Sequence, residues 1–121
     1  MVRSRTQLEA FTGWLTAFGD AWEAGDADAA AGLFTVGATL QATPFSELVR
    51  GRREIRGYFN DLFVSRFDGS FAAQVLGAGD TYGVAHWSAA WADGVRDGVL
   101  VAALDTRGRC TSLRQWWHEK T

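Results

Sequence analysis

Two adjacent indoles near the C-terminal end, Trp116 and Trp117, constrain this chain more than any other feature. They sit in Thr111-Ser112-Leu113-Arg114-Gln115-Trp116-Trp117-His118, a stretch with strand character. Side chains alternate across a strand, so neighbouring residues point to opposite faces of the sheet. A sheet carrying a large aromatic on both faces is expected to be covered on both. In a chain of 121 residues one cover is its own helices, and the other is expected to be a second copy of the chain. Segment 99–104, Val-Leu-Val-Ala-Ala-Leu, carries no polar residue at either parity, whereas a strand with one wet face alternates. It too is expected to be buried on both faces.

The first half of the chain reads as helix. Leu8, Phe11, Leu15, Phe18 and Trp22 recur at helical spacing over residues 6–24, with Thr12, Thr16, Asp20 and Glu23 opposite them. Gly25 is the expected stop, and Asp26 or Asp28 caps a second helix over 27–34 that buries Leu33 and Phe34. A short strand at 38–43 closes at Pro44, the one proline. A third helix covers 52–63, with Ile55, Tyr58, Phe59 and Leu62 on one face. From residue 69 the period becomes extended, with strands at 69–77, 82–91, 95–104 and 109–118. The Asp93-Gly94 step between the second and third of these is a strong hairpin signal. Three helices followed by an antiparallel meander give an α+β plan in a single domain over residues 1–121, helices on one face of the sheet.

Composition removes several classes of function. The net charge is −2 and no basic stripe exists to neutralise phosphates, which argues against nucleic acid. The lone Cys110 leaves no partner for an internal disulfide and fits a reducing, cytoplasmic setting. His86 and His118 have no cysteine or carboxylate at metal spacing, so no metal is expected. No glycine-rich loop follows a strand in a way that cradles phosphates, and no cofactor is expected. Residues 1–7 lead into an amphipathic pattern, so neither a leader peptide nor a membrane span is expected. Six Trp and eight Phe are far more than charge or turn residues can explain, and large flat rings fill cores and line apolar clefts.

Ala24-Gly25-Asp26-Ala27-Asp28-Ala29-Ala30-Ala31-Gly32-Leu33-Phe34, then Ala38-Thr39 and Pro44-Phe45, resembles the nuclear transport factor 2-like superfamily. So do Gly51-Arg52-Arg53-Glu54-Ile55-Arg56-Gly57-Tyr58-Phe59 and the closing hairpin Leu104-Asp105-Thr106-Arg107-Gly108-Arg109-Cys110. Taken in order they span nearly the whole chain and are most similar to SnoaL-like domains. The resemblance implies a cone-shaped barrel of helices on a curved antiparallel or mixed sheet, with an apolar cavity between helices and sheet and a dimer contact on the outer sheet face. Its members include ketosteroid isomerases, polyketide cyclases, epoxide hydrolases, dehydratases and non-enzymatic carriers.

The resemblance also locates where a ketosteroid isomerase would hold its base and hydrogen-bond donors. Those positions are Phe18, Ala42 or Thr43, and Leu100, none of which moves a proton. That activity is not expected. A cyclase or hydrolase needs an ionisable group in the cavity, and the two candidates are His86 and Asp97. The plainer account of each is a hydrogen-bonded structural histidine and an exposed strand end. Trp14, Phe18, Tyr58, Trp87, Trp91 and Leu100 are the expected ligand-binding wall. The function read from the sequence is binding of a small apolar molecule, with an enzyme acting on such a molecule as the alternative.

Overall fold

A computed structural model of the chain describes residues 2–66 and 68–121, with side chains from Gln7 onward. The chain order is α1 (Val2–Ala24), α2 (Ala27–Ala31), β1 (Phe34–Gln41), β2 (Val49–Arg50), α3 (Arg52–Ser65), β3 (Ser70–Ala78), β4 (Tyr82–Trp91), β5 (Gly94–Leu104) and β6 (Cys110–Lys120). The six strands form one sheet in the order β2-β1-β6-β5-β4-β3. β3 to β6 are the antiparallel meander expected from the turns, and β1 joins its far side parallel to β6. Three helices on one face of a mixed sheet is therefore the architecture, as the sequence reading anticipated.

The main departure lies at the junction of α2 and β1. The Asp26 carboxylate accepts from the Ala29 N–H at 3.0 Å and starts α2, but the helix stops at Ala31 rather than reaching residue 34. Leu33 and Phe34 are instead drawn into sheet bonding. The Leu33 carbonyl accepts from the Cys110 N–H at 2.8 Å, and the Phe34 carbonyl accepts from the Arg52 guanidinium at 2.8 and 3.0 Å. β1 thus begins four residues before the expected 38. Tertiary hydrogen bonds override the helical preference of the alanine run. The two-residue β2, antiparallel to the end of β1, is too short for a periodicity to announce it.

Strand parity settles which face each residue takes. On β4 the odd positions Gly83, Ala85, Trp87 and Ala89 are buried under the helices, and on β5 Leu100 and Ala102 are. Trp117 faces inward beside the buried Leu113 and Gln115, while Trp116 faces outward and is 37% exposed. The helices cover the inner face. On the outer face Val99 and Val101 are only half-buried in one copy of the chain, and Val95 is exposed.

The inside of the cone is filled by the chain's own rings. Phe18 stacks on Trp14 at 4.9 Å between centroids and meets Phe59 edge-on at 5.8 Å. Phe71 stacks on Trp87 at 6.0 Å, and Trp22 touches Trp87, Phe71 and Phe63. Cys110 belongs to this core, and burial pushes its thiol up to about 12, so it holds no thiolate at neutral pH. Among the described residues two buried indole nitrogens, Trp22 Nε1 and Trp87 Nε1, have no hydrogen-bond partner. Truncating Trp87 to Ala should cost about 3–5 kcal/mol, because a ring that is 1% exposed leaves a cavity its rigid neighbours do not refill. Urea unfolding followed by circular dichroism measures this, and a loss under 1 kcal/mol (roughly a solvent-facing side chain's value) contradicts the packing described.

Candidate ligand site at the mouth of the cone

At one end of the cone α3 and the sheet diverge and leave a groove of about 370 Å³, within the usual range for small-molecule sites. Tyr58, Asp61, Leu62 and Ser65 of α3 form one wall. Arg96 of β5 and Trp117 of β6 form the other, and Ala42, Thr43 and Ser46 close the end. Each arrives there by periodicity. Tyr58 and Leu62 are four apart on a helix, and Arg96 shares the inward parity of Leu100 on β5.

The centre of the site is Arg96. Its guanidinium lies 3.9 Å from the centre of the Trp117 ring and 5.5 Å from that of Trp91. Cation–π contact of this kind contributes about 1–2 kcal/mol when partly desolvated, and the side chain is only 12% exposed. Its Nε donates to Glu119 Oε1 at 2.9 Å, and Arg66 donates to the other oxygen of the same carboxylate at 2.9 Å. Those two hydrogen bonds, Arg96 before Arg66, hold the Glu119 carboxyl below its ordinary range. Tyr58 lies on the opposite wall beside Arg96. Burial pushes its phenol up, and the nearby guanidinium partly opposes that shift.

The indoles here are pinned by backbone. Trp117 Nε1 donates to the Ala42 carbonyl at 2.6 Å and Trp91 Nε1 to the Arg66 carbonyl at 2.9 Å. Gln115, one pleat deeper than Trp117 on the same face, is 5% exposed and is the one buried polar or charged residue among those described, indoles and thiol aside. Opposite Trp117 on β5 stands Gly98, with Trp87 beyond it on β4. A Cβ at Gly98 would collide with the Trp116 carbonyl and the Trp117 backbone, so only glycine lets β5 and β6 approach there.

The six expected wall residues divide between two places. Trp14, Phe18, Trp87 and Leu100 lie in the closed interior, with Trp14 Nε1 donating to the Leu33 carbonyl at 3.0 Å. Tyr58 lines the mouth and Trp91 lies just beneath it, under Arg66 and Arg96. His86 and Asp97 both face outward, away from the cone. His86 Nε2 donates to the two Asp97 carboxylate oxygens at 3.0 and 3.1 Å, with the side chains 45% and 60% exposed. Exposed pairs of this kind contribute about 0–1 kcal/mol. Gln41 holds the Pro44 and Ser46 carbonyls of the closing loop, and Gln74 is exposed. Arg96, Gln115 and Trp117 are absent from the sequence candidates for the site, although parity with Leu100 and Leu113 places all three inside.

Helices on one face of a six-stranded mixed sheet, open at one end, define the cone-shaped α+β class. Within it, the model of the SnoaL-like domain matches residues 15–115, and the chain belongs to that family. The epoxide hydrolase/cyclase-like enzyme SalBIII, described as acting in pyran ring formation in the polyether salinomycin, has a similar structure. It is 21% identical, with 94% of this chain and 92% of that chain covered and a TM-score of 0.78. An NTF-2 like protein of unknown function from Burkholderia xenovorans LB400 is 16% identical, with 95% and 88% covered and a TM-score of 0.78. At these identities the likeness concerns the fold. No curated protein gives a significant match.

The Arg96–Glu119–Arg66 link makes stability depend on acid. Glu119 has a folded pKa below the 4.5 of the free group, so its contribution is present above 4.5 and is lost as pH falls through the folded value. Glu119→Gln should cost about 1 kcal/mol at neutral pH and flatten the acid limb of the stability curve. Thermal melts from neutral pH down through the carboxylate range check both expectations.

Proposed function

We propose that this SnoaL-like domain binds a small, largely apolar molecule at the mouth of its cone rather than in its interior. The observation that carries the reading is the groove itself, where Trp117, Leu62 and Tyr58 line the space around the largely sheltered guanidinium of Arg96. Apolar walls with a few converging polar groups are what small-molecule sites look like. The interior is packed by Trp14, Phe18, Trp22, Phe59 and Trp87, so a ligand reaches it only by displacing rings. With Phe18, Ala42, Thr43 and Leu100 at the positions weighed for proton transfer, ketosteroid isomerase activity is not part of the proposal.

One specific observation favours the enzymatic alternative. Tyr58 and Asp61 face the groove beside Arg96, which puts a phenol donor, a carboxylate acceptor and a cation around one space. A substrate oxygen could be protonated or held there while Asp61 took a proton. The binding reading needs none of these transfers and stands first.

Leu62→Trp should fill the groove while leaving the core intact, since Leu62 is only half-buried. A thermal-shift screen with small aromatic and terpenoid compounds should raise the melting temperature of the wild type and leave the variant unmoved. Equal shifts in both proteins place the ligand elsewhere, and no shift in the wild type ends the proposal.

We also propose a homodimer through the outer sheet face. Trp116, Val95, Val99, Val101 and Val84 share that face, and an apolar patch of this kind marks an interaction surface. A second copy brings the same patch in return, as a two-fold contact requires. No helix among the described residues is long and apolar enough to cross a membrane, and a cytoplasmic location is proposed from the lone cysteine. Light scattering after size exclusion should give twice the chain mass for the wild type and the single mass for Val99→Glu. A monomeric wild type at micromolar concentration overturns the dimer.

A further inference from the structure

We propose that the ligand at the mouth is an anion, a carboxylate or enolate borne on a flat apolar body, and that Arg96 takes its charge. The inference rests on the mouth being the binding site. Arg96, the cation lining the groove, shares the single carboxylate of Glu119 with Arg66 from the end of α3, so neither guanidinium has a carboxylate to itself. Asp61, the other charged group lining the groove, stands on the opposite wall and is exposed to solvent.

Hydrogen bonding points the same way. Thr43 and Ser46 bond to each other, and the Ser65 hydroxyl is spent on the Asp61 and Leu62 carbonyls. What remains for a ligand is donor-rich: the rest of the Arg96 guanidinium and the Tyr58 hydroxyl beside it. A ligand bringing acceptor oxygens relieves this surplus, whereas a cationic or donor-rich ligand deepens it.

The geometry of the guanidinium sets the shape of the ligand. Contact with Trp117 at 3.9 Å and the Nε bond to Glu119 restrain the guanidinium, and its remaining N–H groups are left for a ligand. A planar, two-oxygen acceptor meets such groups with two parallel hydrogen bonds. Trp117 on one side and Leu62 on the other leave a slot for a flat ring system attached to that acceptor.

The test titrates ¹⁵N-labelled protein at neutral pH with 2-naphthoate and with 2-naphthalenemethanol, which carries the same rings on a neutral head. Indole N–H signals report binding. The expected result is an affinity for 2-naphthoate about tenfold or more tighter, a preference that shrinks as sodium chloride is added. In Arg96→Gln the two compounds should bind with equal affinity, because the charge that separates them is gone. Should Arg96→Gln fail to fold, Arg96→Met serves instead, since it keeps an apolar stem against the indoles and removes the charge. Equal binding of the two compounds overturns the anionic ligand while the mouth stands as a site. A preference that survives both variants overturns the role of Arg96. Binding of neither compound overturns the inference together with the reading it rests on.

Discussion

Two successive carbonyls, those of Leu33 and Phe34, tie the molecule together. Trp14 of α1 and the N–H of Cys110 in β6 both donate to the first, and Arg52 of α3 grips the second with two nitrogens. Helix, helix and sheet are thereby joined at the point where the chain leaves α2. The parallel pairing of β1 with β6 starts there, with Phe34 facing Cys110 in register. Without that pairing the meander would end in an open edge at β6, and the inner face would lose the strand carrying Ala38 and Leu40.

With the closed end fixed in this way, the interior becomes a problem of filling volume. The chain solves it with rings packed edge-to-face and stacked, and it accepts two indole N–H groups without partners. Each such group costs about 1–3 kcal/mol, which burial of rings this large outweighs, since each removes 150–250 Å² from water at about 25 cal/mol per Å². The consequence is functional. A cone filled by its own side chains leaves grooves only at its surface, one of them where α3 leaves the sheet. There the polar groups are also gathered: arginine, tyrosine, glutamine, and a carboxylate held between two cations.

Periodicity made much of this legible. The helical stripe from Leu8 to Trp22, the meander and the Asp93-Gly94 hairpin follow from spacing alone, because one buried face imposes its period on the sequence. Trp87 and Trp91 are correctly read as sharing a face for the same reason. Phe34 was not legible as a strand residue, since its fate depends on Arg52 and Cys110, partners 18 and 76 positions away (52 − 34 and 110 − 34). Arg96 was obscured differently. Parity places it inside, but an arginine next to a hairpin reads as solvated unless the two indoles that shelter it are seen to converge from β4 and β6. His86 and Asp97 drew attention by their chemistry, and they lie on the outer face, paired with each other in a way that the spacing of 11 residues did not announce.

The two surfaces proposed for ligand and partner are written on alternate residues of the same strands. Arg96 and Trp117 face the mouth, while Asp97 and Trp116 face outward beside them. A slip of β5 by one residue would put a carboxylate among the rings and turn the arginine to the outer face, and a slip of β6 would exchange the two indoles. The register must therefore be held where the two strands carry the site, and a hairpin turn at the far end does not suffice. Asp105 fixes that turn by accepting from the Arg107 and Arg109 N–H groups at 2.9 Å, yet the register shifts by a bulge between Ala103 and Leu104. Beyond the bulge the lock is Gly98 against Trp116 and Trp117, a close backbone approach that a one-residue slip in either direction forbids, since Val99 and Asp97 on either side of it carry a Cβ. The adjacency of the two tryptophans and the absence of a side chain opposite them are thus one constraint, and it fixes which indole belongs to the site and which to the outer face.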